Sequence, residues 1–132
     1  MATIVIVEDE PDVRRLIRAS LASGRHTIFE GTDGDEGWAL IQQHTPEVVV
    51  LDVDMPGRNG LELIQALKDD PTLASTGIVV VSAGGERWQV NAGLEFGADY
   101  YLLKPFAPRE LAARVASLVA ARAGPPSSAE GG

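Results

Sequence analysis

Val48-Val49-Val50-Leu51-Asp52 is an unbroken apolar run that ends on an acid, and its reading decides the fold. A strand with one wet face alternates apolar and polar residues, whereas a strand buried on both faces is apolar throughout. The pattern recurs on either side. Thr3–Val7 (TIVIV) is β-branched and strand-like, Ile78–Val81 and Tyr100–Leu103 are of the same kind, and His26–Glu30 is a weaker example. Segments of helical period separate these runs. Pro11 stands at a helix-start position, and Val13, Leu16, Ile17 and Leu21 follow at helical spacing up to a stop at Gly24. Asp33 caps a short helix through Ile41, with Gly37 inside it. After the loop Asp52–Asn59, Leu61, Ile64 and Leu67 mark a third helix. Glu86–Phe96 is a fourth, followed by Gly97, and Pro108 opens the last, with Leu111, Val115, Leu118 and Val119 on one face.

Five β-α units in succession predict a doubly wound α/β domain, a five-stranded parallel sheet with helices on both faces. Such sheets bind their ligands at the carboxyl ends of the strands. The 132 residues, 45% apolar and 23% charged, suit one globular domain. Beyond Arg122 the sequence becomes Ala-Gly-Pro-Pro-Ser-Ser-Ala-Glu-Gly-Gly, so the expected division is a domain over 1–122 and a disordered tail over 123–132. The chain has no cysteine, which excludes disulfides and thiolate metal sites. A net charge of −8 argues against direct nucleic-acid binding. No secretory signal and no membrane-spanning run is visible, and a cytoplasmic location is expected.

The predicted strand ends carry chemistry. The first leads into Glu8 and Asp9, the third into Asp52 with Asp54 two positions on, the fourth into Ser82, and the fifth into Lys104 and Pro105. Crowded carboxylates repel one another unless a cation is near, and an all-oxygen ligand set favours a hard ion such as Mg²⁺. A carboxylate can also attack phosphorus, with an ammonium and a hydroxyl stabilising the transferring oxygens. Taken singly, each group has a plainer reading. The acids at Glu8-Asp9-Glu10 favour a helix N-terminus, Asp52 suits a turn, and Ser82 and Lys104 suit a solvated surface. Their joint placement at four strand ends favours phosphoryl transfer onto Asp52. Trp38 and Trp88 read as packing residues, and His26 and His44 as surface residues.

Four stretches together resemble the receiver domain of bacterial response regulators, and the resemblance runs from Thr3 to about Arg122. They are Ile4-Val5-Ile6-Val7-Glu8-Asp9-Glu10, Val50-Leu51-Asp52-Val53-Asp54-Met55-Pro56-Gly57, Val80-Val81-Ser82-Ala83 and Gly97-Ala98-Asp99-Tyr100-Tyr101-Leu102-Leu103-Lys104-Pro105-Phe106. The resemblance implies a flavodoxin-like (βα)5 fold with strand order 2-1-3-4-5. It implies that Asp52 is the phosphoacceptor. Asp9 and Asp52 would ligate Mg²⁺, Glu8 would assist through water, and the backbone carbonyl of Asp54 would complete the set. Ser82 and Lys104 would hold phosphoryl oxygens, Ser82 and Tyr101 would form the switch, and the Lys104–Pro105 peptide would be cis. Implied partners are a histidine kinase or histidine phosphotransfer protein and a downstream protein or output domain, with a phosphorylation-dependent homodimer allowed. The chain would act on nothing but its own phosphorylation and dephosphorylation, so it would not be an enzyme in the ordinary sense.

Three positions depart from common family patterns: Glu8 where Asp is frequent, an extra carboxylate at Asp54, and Gly84 two residues after Ser82. Tyr100 stands where receivers of winged-helix transcription factors often carry an acid used between subunits. Two other readings compete. Asp52-Val53-Asp54 is similar to the nucleophile motif of haloacid-dehalogenase-type phosphatases, but those enzymes place it on their first strand with the acidic pair after the lysine. A receiver-like scaffold would be expected to lose site residues that this chain keeps.

Overall fold

The computed structural model describes residues 2–55, 59–83 and 87–123. Among these residues, five strands form one parallel sheet in the order β2-β1-β3-β4-β5, where β1 is Thr3–Val7, β2 Thr27–Gly31, β3 Val48–Leu51, β4 Gly77–Ser82 and β5 Tyr100–Leu103. The helices are α1 Pro11–Ser20, α2 Gly34–His44, α3 Gly60–Asp69, α4 Arg87–Phe96 and α5 Pro108–Ala123. The doubly wound fold expected from the sequence is the fold observed.

Alternation within the strands builds two cores. Ile4, Ile6, Val48, Val50, Val79 and Val81 face Ile17 of α1 and Leu111 and Val115 of α5. Val5, Val7, Val49, Leu51, Ile78 and Val80 face Ile41 of α2 and Leu63, Ile64 and Leu67 of α3. All four residues of β3 are fully buried, and each such side chain contributes about 1.5–3 kcal/mol by leaving water. Two helix starts follow their caps. Asp33 accepts from the Glu36 N–H, and Asn59 and Glu62 form a reciprocal capping box at α3. Gly37 lies in α2 because a Cβ there would come within 2.6 Å of the Val7 side chain.

Several local expectations change. The second strand runs one residue later than His26–Glu30. α1 fully buries only Ile17, and Leu16 is 42% exposed. Trp38 packs against the core as expected, but Trp88 is 66% exposed. α4 meets the sheet through Gly93, and Trp88, five residues earlier, points roughly 140° away around the helix. His44 is not a bare surface residue; its ring stacks on Phe29 at 3.6 Å. His26 is half-buried, with Nδ1 enclosed. Glu86, Gly84, the Pro56-Gly57 pair and the tail beyond 123 lie outside the described residues.

Candidate functional site

The strand registers align the ends that matter. Val7 pairs with Leu51, Leu51 with Val80, and Ser82 with Leu103, so the residues that follow emerge at one edge. The hydrogen bonds Asp52 N–H to Val7 O (3.1 Å) and Lys104 N–H to Ser82 O (2.9 Å) extend the ladder one step past the strands. They fix Asp52 and Lys104 on rigid backbone. Gly60 closes the loop after β3: a Cβ there would meet Val53 Cα at 2.5 Å and Asp52 O at 2.6 Å, so α3 starts directly against the Asp52 main chain.

Carboxylate oxygens of Glu8, Asp9 and Asp52 lie within 4.8 Å of one another. Glu8 and Asp52 are buried, and Asp9 is the open member. Lys104 Nζ sits among them, 2.9 Å from Asp52 Oδ2, 3.0 Å from Glu8 Oε1 and 3.3 Å from Glu10 Oε1. The second Asp52 oxygen, Oδ1, accepts the Asp54 N–H at 2.9 Å. Ser82 is fully buried, and its hydroxyl donates to Asp54 Oδ2 at 3.3 Å. Tyr101 is hydrogen-bonded to Ser82 and its ring abuts Gly93. The Lys104–Pro105 peptide is cis.

Burial pushes the Glu8 carboxyl up, against Lys104 and the Glu10 N–H, which favour its charged form. Burial works against the Lys104 ammonium, yet Asp52 and Glu8 more than offset it and hold it above the usual lysine range. Burial likewise raises the Tyr101 hydroxyl, opposed by its bond with Ser82 and reinforced by the charges of Asp54 and Asp52. Lys104 Nζ lies 3.0 Å from Glu8 Oε1 and favours its charged form, but three carboxylates converge within 4.8 Å around this one ammonium. A divalent cation would offset the remaining carboxylate charge, and an all-oxygen set is what Mg²⁺ takes.

Two residues escaped the sequence reading. Arg14 donates from Nη1 to the Glu8 carbonyl at 2.9 Å and from Nε to Glu30 Oε1 at 3.2 Å, clamping the acidic loop to the edge strand. Glu10 shares Lys104. The available signal for Arg14 was a cation one turn into α1, next to the acids.

The family model described as the response regulator receiver domain matches residues 4–116. The phosphate regulon transcriptional regulatory protein PhoB of Pseudomonas aeruginosa is 38% identical over 123 residues, which are 93% of this chain and 53% of that protein. The chain spans about half the length of the curated relatives it matches. Among solved structures, the receiver domain of the Francisella response regulator 1452 is 27% identical with a TM-score of 0.81, over 89% of this chain and 96% of that one. The chemotaxis response regulator CheY4 of Vibrio cholerae is 25% identical with a TM-score of 0.82, over 89% and 98%. Among the described residues no helix is long and apolar enough to cross a membrane.

Proposed function

This chain belongs to the response regulator receiver family of two-component signalling, and from that premise we propose that it accepts a phosphoryl group on Asp52 and relays the change to the surface of α4, β5 and α5. The observation that supports this most is the convergence of Glu8, Asp9 and Asp52 within 4.8 Å, with Lys104 Nζ 2.9 Å from Asp52. In the reaction, an Asp52 oxygen forms a bond to the donor's phosphorus. The bond from phosphorus to the imidazole nitrogen of a histidine kinase or phosphotransfer protein breaks, and the nitrogen keeps the electron pair. Lys104 exchanges an Asp52 oxygen for a phosphoryl oxygen, and Ser82 donates to another.

Mg²⁺ binding is typical of the family, and the convergence of Glu8, Asp9 and Asp52 within 4.8 Å favours it here. Asp9 and Asp52 would ligate directly, Glu8 through water, and the Asp54 carbonyl would complete the protein ligands. When bound, the ion neutralises charge on the transferring oxygens. Response regulators are generally not classical enzymes, and the substrate of this chemistry is the chain's own Asp52.

The switch in this reading is Ser82 with Tyr101, acting on a downstream protein or output domain in the cytoplasm without direct contact to nucleic acid or membrane. The receiver would occupy 1–122, with 123–132 as a tail. A phosphorylation-dependent homodimer is compatible with this reading, but not one built on an acid at position 100. There Tyr100 lies under the Arg114 guanidinium at 4.8 Å, and Arg114 also faces Glu110 at 3.7 Å.

The test is incubation with Mg²⁺ and acetyl phosphate, read by intact mass. One base-labile phosphoryl group is expected, and Asp52→Asn abolishes it. Equal labelling of Asp52→Asn would show that Asp52 is not the acceptor.

A further inference from the structure

The chemistry assigned to Asp52 leaves the side chain of Asp54 without a part, yet that side chain is engaged. The Asp54 N–H donates to Asp52 Oδ1 at 2.9 Å, and the Asp54 carboxylate accepts the Ser82 hydroxyl through Oδ2 at 3.3 Å. Ser82 is fully buried and also bonds Tyr101. The Tyr101 ring rests so close to α4 that a Cβ at Gly93 would lie 3.0 Å from two of its atoms. A continuous line of contacts therefore runs from the acceptor aspartate to α4, built entirely from protein groups.

We infer that Asp54 is a positioning residue whose carboxylate takes the place of one phosphoryl oxygen toward Ser82, holding that hydroxyl, and through it the Tyr101 ring, in the engaged arrangement. This rests on Asp52 being the phosphoacceptor. Both acceptors are anionic oxygens, and both are carried by the same short loop after β3. The bond to Asp54 is longer than the roughly 2.5–2.7 Å of a strong hydroxyl-to-anion bond. The hold is therefore loose enough for a phosphoryl oxygen, more highly charged, to take the hydroxyl over. Phosphorylation then exchanges one acceptor of Ser82 for another instead of first drawing Ser82 into place. The engaged state of Tyr101 is already populated, and the phosphoryl group tightens it.

The test uses the full chain in Mg²⁺ buffer without a phosphodonor, so it reads Asp54 independently of whether Asp52 is labelled. The nuclear Overhauser contact between the Tyr101 ring and Gly93 is measured in the parent, Asp54→Asn and Asp54→Ala, with melting curves to confirm folding. The contact is expected in the parent. It falls by about half or more in Asp54→Ala, and Asp54→Asn, which keeps an acceptor oxygen, retains more of it. Beryllofluoride is expected to restore it in Asp54→Ala. A contact equally strong in Asp54→Ala and the parent overturns the inference, as does a greater loss in Asn than in Ala. Failure of Asp52 phosphorylation would be seen separately, by mass, in the parent.

Discussion

Lys104 Nζ lies 2.9 Å from Asp52 Oδ2, joining the end of the fifth strand to the end of the third across the intervening fourth. The same ammonium is 3.0 Å from Glu8 Oε1, so one cation neutralises the carboxylates that a metal would also neutralise. Ammonium and Mg²⁺ therefore compete. Lys104→Met is expected to bind Mg²⁺ about tenfold more tightly, close to 1.4 kcal/mol. In chelator it loses stability, by about 3 kcal/mol if the loss resembles that of a buried pair stripped of one partner. Calorimetric titration and denaturant unfolding with and without Mg²⁺ check both. Weaker Mg²⁺ binding in the variant would mean that the ammonium shapes the site rather than competing for it.

Arg14 acts one layer further out. Its Nη1 donates to the Glu8 carbonyl at 2.9 Å while its Nε engages Glu30 at 3.2 Å, and its side chain is 17% exposed. Groups that orient ligands typically carry 10–100-fold in metal affinity. Arg14→Met is expected to weaken Mg²⁺ binding by about tenfold, the low end of that range, because Glu8 N–H to Gly31 O still holds the loop. Unchanged affinity in a calorimetric titration would show that this backbone bond suffices.

The strands were legible because burial on both faces leaves a plain mark: Val48–Leu51 is apolar in sequence and fully buried in the fold. The positions of Glu8, Asp9, Asp52, Ser82 and Lys104 at one edge followed from parallel topology alone. What lay beyond the sequence depends on contacts distant in the chain. β2 is an edge strand with weak apolar pattern, so its expected bounds fell one residue early. Trp88 looked like a core residue by type, but α4 approaches the sheet through Gly93, and nothing in the helix sequence marks a glycine as the buried face. Arg14 binds the Glu8 carbonyl, and a main-chain acceptor is not marked by residue type, so a cation next to the acids did not by itself name its partner.

His26 gives the chain a pH dependence away from the acidic site. Burial lowers its pKa from the ordinary 6.5, partly opposed by Glu47, and Nδ1 is enclosed without a partner among the described residues. The folded pKa is below the unfolded one, so the group's contribution to stability is complete above pH 6.5 and is lost as pH falls through the folded value. Melting temperature is expected to drop more steeply on going from about pH 6.5 to about pH 5 in the parent than in His26→Gln. Parallel curves would show that the ring protonates freely within the fold.

Gly93 tests the link between Tyr101 and α4 from the helix side. A Cβ there would lie 3.0 Å from Cδ2 and Cε2 of Tyr101, tighter than ordinary contact, so the ring must give by a few tenths of an ångström. Against that cost, alanine in a helix interior is favoured over glycine by about 0.5–1 kcal/mol. Tyr101 is only partly buried, which leaves the ring room to move outward. The gain in helix propensity is therefore expected to win. Gly93→Ala melts at the parent's temperature or up to about 4 °C higher, while the Tyr101 ring signals shift and their response to beryllofluoride shrinks. A melting temperature several degrees lower, with the ring signals unmoved, would mean that Tyr101 is fixed against the helix and that α4 bends around it instead.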